Sequence, residues 1–148
     1  MKIMCDTNVI LDVMLEREPF VEASASVLQL CENKSIEGYT TASCITDIFY
    51  IVRKHLHSTD KAYYAVEKVL EIVKVCDVKA QHVQKALQTR AYDFEDCLVA
   101  TCAKSIDCDF LISRDKKGFA ELNINVLTPD ELLQHLTTLT KEKCVNHR

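Results

Sequence analysis

The sequence predicts an α/β fold, a three-layer α-β-α sandwich with a central parallel sheet of about five strands. Short apolar runs alternate along the chain with longer segments whose apolar residues recur at helical spacing, which is typical of parallel strands joined by crossover helices. The chain has 148 residues, of which 48% are hydrophobic, and this suffices for one core. Two glycines and two prolines leave little material for a flexible linker. We therefore expect a single domain.

The first half of the chain begins with a strand and a short helix. Lys2–Cys5 is an apolar run that ends at a polar turn, as a buried strand does, and residues 9–15 are apolar at most positions, which predicts a helix. Pro19 suits the first turn of a second helix, which we expect to end at Asn33. The next expected elements are a strand at residues 36–40, a helix at residues 43–56, and a helix that Asp60 caps and that ends at Ile72.

The second half continues the alternation of strands and helices. We expect strands at residues 73–76, 110–112 and 125–127. Between the first two of these strands, the apolar spacing predicts helices over residues 79–89 and 94–105. Asp77 and Asp93 precede these helices and are expected to cap them, because a short carboxylate accepts hydrogen bonds from free N–H groups at a helix start.

The last helix has the clearest start. Thr128 stands at the cap position, Pro129 at the first helical position, and Glu131 where a capping box needs an acidic side chain. We expect the helix to end near Leu136, after which the apolar spacing is lost. The predicted domain therefore spans residues 1–137, and residues 138–148 are expected to form a frayed tail.

The charge and the cysteines narrow the functional classes. A net charge of −4 and a pI of about 5.7 argue against a broad basic face that grips nucleic acid. The eight cysteines form no C-x-x-C pair and have no histidines at zinc-finger spacing. Most lie in apolar stretches, so we expect reduced thiols in a cytoplasmic protein. No apolar run approaches the ~20 residues of a membrane helix, and we expect no membrane contact.

Four aspartates are predicted to meet at one edge of the sheet. Asp6 follows the first strand directly, and Asp115 lies just past the fourth. Asp47 and Asp96 lie in the first turns of two helices that begin after loops coming off the sheet. Because the carboxyl ends of parallel strands and the helix starts that follow them share one edge, these four carboxylates are expected to converge there.

Carboxylates packed together repel, and a divalent cation relieves this repulsion. Oxygen ligands suit Mg²⁺ or Mn²⁺, and one or two such ions activate water and stabilise a pentavalent phosphate. Asp93 shares a helix face with Asp96, three residues on, whereas we expect Glu95 to point elsewhere. The net charge of −4 equals the charge of the four acids, so the acidity does not exclude a nucleic-acid substrate.

Each acid also has a structural interpretation. Asp6 is placed to cap the helix that follows it, and Asp93 is a candidate cap with Asp96 as an acidic first-turn residue. Asp115 lies in a segment that suits a surface turn. Asp47 is harder to explain in this way, because its neighbours are apolar and a buried carboxylate without a partner is costly. The residues alone leave both interpretations open.

Three segments, taken in order, resemble one family. They are CDTNVILD from Cys5, DFEDCLVATCA from Asp93, and FLISRD from Phe110 followed by Gly118. Together they resemble the motifs of PIN-domain proteins of the bacterial and archaeal type that includes VapC toxins, and VLTPDELL from Val126 is similar to the family's closing segment. The resemblance spans residues 1–136. It implies a PIN-like fold and a Mg²⁺- or Mn²⁺-dependent endoribonuclease, often a toxin neutralised by a small antitoxin and often a homodimer.

The resemblance also implies roles for particular residues. Asp6, Asp96 and Asp115 would be catalytic metal ligands. Asp47 stands where the family usually has Glu, so its shorter side chain implies contact with the metal through water or a helix that lies closer. The polar residues expected to support these acids are Thr7, Asn8, Ser43, Asp93 and Ser113. The basic residues expected to contact the RNA substrate are Arg53, Arg114 and Lys116.

Three functions compete on this sequence. The first is a ribonuclease that acts as a toxin or as an RNA-processing enzyme. The second is a non-catalytic PIN-like module that binds RNA or protein, for which the departure from the family at Asp47 is the support. The third is a receiver-like phosphoacceptor domain, which needs paired acids early and a late lysine. Only Asp6 lies near the end of the first strand and no lysine follows the fifth, so this function ranks last.

Overall fold

The computed structural model describes residues 1–145, and within them five strands alternate with helices. Seven α-helices and one 3₁₀ turn are formed in this part of the chain. The elements in chain order are β1 (Lys2–Cys5), α1 (Thr7–Met14), α2 (Val21–Glu32), β2 (Glu37–Thr41), α3 (Ala42–Leu56), α4 (Thr59–Ile72), β3 (Lys74–Cys76), α5 (Ala80–Thr89), α6 (Phe94–Ser105), β4 (Phe110–Ile112), the 3₁₀ turn (Lys117–Phe119), β5 (Val126–Leu127) and α7 (Pro129–Val145). The strands differ from their predicted bounds by at most one residue at an end.

The five strands form one all-parallel sheet in the order β3-β2-β1-β4-β5. β1 lies at its centre, with Ile3 opposite Gly38 of β2 and Phe110 of β4. Because every strand points the same way, all carboxyl ends lie at one edge, which we call the carboxyl rim. Cys5 and Ile112 pair at the ends of β1 and β4, so the segments that follow these strands leave the rim side by side.

Helices cover both faces of the sheet. Ile3 and Met4 are consecutive in β1, fully buried, and directed to opposite faces. Ile3 belongs to an apolar cluster built with α1, α2, α3, α4 and α7. Met4 belongs to a second cluster, to which α5, α6 and the 3₁₀ turn contribute most of the side chains. The predicted three-layer α-β-α sandwich is therefore confirmed.

The starts of α2 and α4 differ from the prediction. Pro19 does not lie in the first turn of α2: its peptide bond with the preceding residue is cis, and the helix begins at Val21 after a turn. Asp60 does not cap α4. The cap is Ser58, whose Oγ accepts the Lys61 N–H at 3.2 Å, because its extended backbone directs the short hydroxyl side chain at the free N–H groups.

α5 and α7 correct two further expectations. Asp77 does not cap α5, since Lys79 occupies the cap position and its N–H donates to Nδ1 of His82 at 3.0 Å. The Thr128–Glu131 capping box is confirmed by two reciprocal bonds of 2.9 and 3.2 Å. α7 does not end near Leu136 but continues to Val145, as an exposed helix in which threonine hydroxyls bond back to carbonyls four residues earlier. No described helix is both long and apolar enough to cross a membrane.

Candidate active site

The carboxyl rim brings Asp6 next to the segment that follows β4. The Asp6 N–H donates to the Ile112 carbonyl at 2.9 Å, continuing the β1–β4 ladder by one residue. Asp6 then caps α1, with its Oδ1 accepting the Thr7 N–H at 2.8 Å. It is only 8% exposed. The structural and functional interpretations of Asp6 are therefore compatible, because the backbone bonds fix the side chain at the rim.

Neutral side chains orient the Asp6 carboxylate. Ser113 Oγ donates to Asp6 Oδ2 at 2.8 Å, and Asn8 Nδ2 lies 3.4 Å from the same oxygen. Asn8 also donates to Ser113 Oγ at 3.1 Å, and that oxygen accepts the Asp115 N–H at 3.1 Å. The structure thus brings Asn8 and Ser113 together around Asp6. Thr7 contributes its backbone N–H, while its Oγ1 is the one buried side-chain oxygen or nitrogen of residues 1–145 that lacks a hydrogen-bond partner.

Asp93, Asp96 and Asp115 approach the same place from α6 and from the loop after β4. Asp93 caps α6, as predicted, and its Oδ1 accepts the Asp96 N–H at 2.9 Å. Gly118 lies between the other two acids, with its N–H 3.4 Å from Asp115 Oδ1. A Cβ at Gly118 would collide with Asp96 Oδ2 and lie 3.6 Å from Asp115 Oδ2. A side chain at residue 118 would therefore displace the Asp96 carboxylate from its present position.

The four acids Asp6, Asp93, Asp96 and Asp115 affect one another electrostatically. Burial and, to a smaller extent, the charges of the other three aspartates together raise the pKa of Asp96 to about 7. Burial also raises the pKa of Asp6, a shift that the hydrogen bonds from Ser113 and the Thr7 N–H partly oppose. The charges of Asp115 and Asp93 again act to raise it. At neutral pH the cluster therefore resists carrying its full negative charge.

Asp47 is paired with an acid that the sequence analysis placed elsewhere. A hydrogen bond with the Asp47 carboxylate, followed by burial and by the charges of Asp47, Asp6 and Asp93, raises the pKa of Glu95 to about 7. The expectation that Glu95 points away from the site is wrong. α3 and α6 both start at the rim, and Glu95, which is exposed in the first turn of α6, is turned towards Asp47. The position of Glu95 directly before Asp96 is the sequence feature that could have predicted its place near the site.

The basic residues expected at the substrate do not surround the cluster as free charges. Arg114 forms a bidentate ion pair with buried Asp12, with Nε–Oδ2 and Nη2–Oδ1 distances of 2.7 and 2.9 Å. Its guanidinium carbon also lies 3.9 Å from the centre of the Phe20 ring. Lys116 contacts both carboxylate oxygens of Glu131 at 3.0 Å. The Arg114 side chain is thus held by Asp12, and the Lys116 side chain is ion-paired with Glu131.

Two other expected site residues lie away from the acids. Ser43 contacts the Thr41 hydroxyl at 2.8 Å in the first turn of α3, and no hydrogen bond joins it to an acid of the cluster among residues 1–145. Arg53 is exposed in the last turn of α3, beside Tyr50 and Lys54. No direct contact in the structure therefore supports the expected role of Ser43 beside the acids or of Arg53 in RNA binding.

The sequence also matches a known family. The family model for the PIN domain matches residues 2–117, most of the chain. The chain belongs to the PIN domain family. Among curated proteins, this PIN domain is similar to Ribonuclease VapC1 of Aquifex aeolicus, with 27% identity over 143 residues that cover 93% of the chain and 97% of the relative.

Solved structures share the fold of this PIN domain. The DNA-bound VapBC of Salmonella typhimurium includes a chain with a TM-score of 0.69 and 18% identity, covering 87% of this chain and 98% of that one. VapC20 of Mycobacterium tuberculosis, described as a toxin that cleaves the sarcin-ricin loop, gives a TM-score of 0.64 at 15% identity, covering 80% and 93%. At these identities the likeness concerns the fold.

The donor set of this PIN domain fits a hard divalent cation. All candidate ligands are carboxylate oxygens, which suit Mg²⁺ or Mn²⁺, and Asp96 and Asp115 direct oxygens towards the same point at Gly118. In the part of the chain that the structure describes, no lysine or arginine is ion-paired with Asp6, Asp96 or Asp115. As the side chains stand, no three acidic, histidine or cysteine residues among residues 1–145 lie close enough together to hold an ion.

Proposed function

We propose that this PIN domain is a Mg²⁺- or Mn²⁺-dependent endoribonuclease that hydrolyses RNA phosphodiester bonds. The observation that supports this most is the unbalanced charge at the rim. Asp96 has its pKa raised to about 7 by burial and by three other aspartates, and no basic side chain of residues 1–145 is ion-paired with these acids. A cation from solution would supply the missing positive charge.

Each residue of the cluster has a defined part in this proposal. Asp6, Asp96 and Asp115 would hold the cation. Ser113 and Asn8 keep the Asp6 carboxylate in one orientation through the hydrogen bonds described above. The bound cation would supply an activated water and stabilise negative charge on the phosphate.

Asp47 and Glu95 complete the negative side of the rim. The hydrogen bond with Asp47, together with burial and nearby charges, raises the pKa of Glu95 to about 7, so Glu95 takes up a proton near neutral pH. We propose that Asp47 acts on the cation indirectly, through water or through Glu95, since its side chain is one methylene shorter than the Glu usual in the family.

The names of the related proteins suggest the biological role. One relative is called a ribonuclease, and structures with this fold come from VapBC toxin–antitoxin complexes. We propose that this chain is likewise the toxin of such a pair, a homodimer that acts on RNA in the cytoplasm and is neutralised by an antitoxin protein.

An RNA cleavage assay tests the activity directly. Structured and unstructured RNAs are incubated with the purified protein in Mg²⁺, Mn²⁺ or EDTA, and we expect cleavage with either metal and none with EDTA. Asp115→Asn should abolish cleavage, whereas Asp130→Asn, a matched change of an exposed aspartate in α7, should not. Cleavage that persists equally in EDTA or in Asp115→Asn would contradict the proposal. Metal binding without any cleavage would favour the non-catalytic module instead.

A further inference from the structure

An open groove runs from the carboxylate cluster along the start of α6. It has a volume of about 390 Å³ and lies between the segment before α6 and the 3₁₀ turn. Its lining includes Asp96 and Asp115 of the cluster, and also Tyr92, Lys117 and Glu121. The groove therefore opens directly into the proposed catalytic centre.

Tyr92 is the most exposed large hydrophobic side chain of the described residues. Its relative exposure is 105%, and Phe94, two residues later, is 46% exposed. Two other exposed tyrosines have a partner: Tyr63 packs edge-on against Phe49, and Tyr64 lies under the Lys68 ammonium. A third, Tyr50, has neither kind of contact in the described residues, but it lies beside Arg53 and not at this groove. Tyr92 has no such contact within residues 1–145. A large aromatic ring with no packing role beside an active-site groove is available for a ligand.

Resting on the proposed ribonuclease activity, we infer that this groove binds an unpaired nucleotide of the RNA, with its base stacked on the Tyr92 ring. Every base presents a flat π face, so stacking holds a nucleotide without selecting its sequence. Lys117 lies in the same groove and offers a cation to the adjacent phosphate. A base inside a duplex has both faces covered by its neighbours, so the groove accepts single-stranded segments and excludes paired ones.

The groove that Tyr92 lines overlaps with the carboxylate cluster. The groove and the cluster share Asp93, Asp96 and Asp115, so a nucleotide held at Tyr92 brings a neighbouring phosphodiester to the carboxylates. Tyr92 is accordingly a positioning residue, and it acts by fixing the strand.

Steady-state kinetics tests the role of Tyr92. With a single-stranded fluorogenic oligoribonucleotide and Mn²⁺, Tyr92→Ala should raise KM about five- to a hundredfold, the factor expected for losing one stacked base. Tyr92→Phe, which keeps the ring, should retain the wild-type KM. Tyr64→Ala is the matched control, since it removes an exposed tyrosine of α4 that does not line the groove. Equal KM values for Tyr92→Ala and wild type would overturn the inference and assign the groove to another partner, such as a protein.

A binding measurement keeps the inference separate from the proposed activity. Fluorescence anisotropy with an Asp6→Asn background and a labelled 12-nucleotide RNA measures affinity without cleavage. We expect Tyr92→Ala to raise Kd in this background by a similar factor, and the same RNA annealed to its complement to bind more weakly than the single strand. Unchanged affinity in Tyr92→Ala, equal affinity for duplex, or no RNA binding at all would each overturn the stacking role. If RNA binding depends on Tyr92 but even the wild-type protein does not cleave RNA, the nuclease proposal is overturned and the stacking role of Tyr92 stands.

Discussion

Two aspartates at the two ends of α1 show opposite solutions to burying a negative charge. Asp12 is fully buried, accepts two bonds from the Arg114 guanidinium, and accepts a third from Ser24 Oγ at 3.2 Å. Asp6 is nearly as buried, at 8% exposed, but its partners are the neutral donors Ser113, Asn8 and the Thr7 N–H. The chain supplies a counter-charge to one acid and withholds it from the other.

Because of this difference, we assign a structural role to Asp12 and a functional role to Asp6. A buried charge with a bidentate partner is held inside the fold, and the Asp12–Arg114 pair ties α1 to the loop that carries Asp115. A buried charge with neutral partners and further acids nearby remains uncompensated, so its pKa rises. We interpret the Asp12 pair as the clamp that holds the loop, and the Asp6 cluster as the place where an external cation acts.

The largest expected effect comes from breaking the Asp12 pair. Arg114→Ala should lower the free energy of unfolding by about 3–5 kcal/mol, because it leaves Asp12 buried without its counter-charge. Urea denaturation followed by circular dichroism measures this change. Lys117→Ala, an exposed neighbour, should change stability by less than about 0.5 kcal/mol. If Arg114→Ala lowers the free energy of unfolding by less than about 1 kcal/mol, the Asp12–Arg114 pair does not stabilise the fold in the way we interpret it.

Asp6→Asn should have the opposite effect on stability and a large effect on activity. We expect RNA cleavage to fall to the EDTA background. Without divalent metal at pH 8 the variant should be more stable than wild type, by up to about 1 kcal/mol, since a repelling charge has been removed. Differential scanning calorimetry and the cleavage assay together measure both quantities. A marked loss of stability would show that Asp6 serves α1 as a cap and little else.

Local sequence patterns predicted much of this site. The parts that they did not predict depend on contacts between residues that are far apart in the chain. Short apolar runs identified the strands, and the position of Asp6 after β1 placed it at the rim. The Asp12–Arg114 pair joins residues 102 positions apart, and no local spacing predicts it. The same limit hid the Asp47–Glu95 contact, because it depends on how α3 and α6 face each other. Local signals also misassigned the cap of α4, where the acid at residue 60 was more conspicuous than the serine before it.

The pH dependence of stability sharpens the comparison further. The pKa values of Asp96 and Glu95 are about 7 in the fold, above ordinary values of 3.8 and 4.5. The native state therefore keeps protons that the unfolded chain releases, so the contribution of these two groups to metal-free stability is full at acidic pH and is lost as pH rises from about 4 to about 7. After allowance for solvent screening we expect about 1 kcal/mol across this window, or about 3 °C in Tm.

Thermal unfolding in EDTA at several pH values measures this fall. Asp96→Asn should make the fall shallower, because one of the two groups that titrate is gone and Glu95 remains. A Tm that rises steadily between pH 5 and pH 7 in wild type would show that the cluster is not under charge repulsion.

The smallest expected effect concerns Asp47 and Glu95. Asp47→Asn removes the carboxylate whose hydrogen bond is the largest cause of the Glu95 shift and whose charge adds to it, so the pKa of Glu95 should fall from about 7 towards its ordinary value of 4.5. Carboxyl ¹³C chemical shifts measured during a pH titration report this directly. Thr46→Ala, an exposed neighbour in α3, should leave the titration unchanged. An unaltered Glu95 titration in Asp47→Asn would separate the two acids and remove Asp47 from the site.

The acids around Asp6 are proposed to hold a divalent cation, and titration of the metal-free protein with Mn²⁺ tests this most directly. Calorimetric binding and Tm are measured for wild type and for Asp96→Asn, with NaCl of matched ionic strength as the control. We predict saturable Mn²⁺ binding to wild type and a rise in Tm, equivalent to ~2.7 kcal/mol at a hundredfold excess over Kd. Both should weaken strongly in Asp96→Asn. Equal Tm values in Mn²⁺ and in matched NaCl, with no binding heat, would contradict the claim.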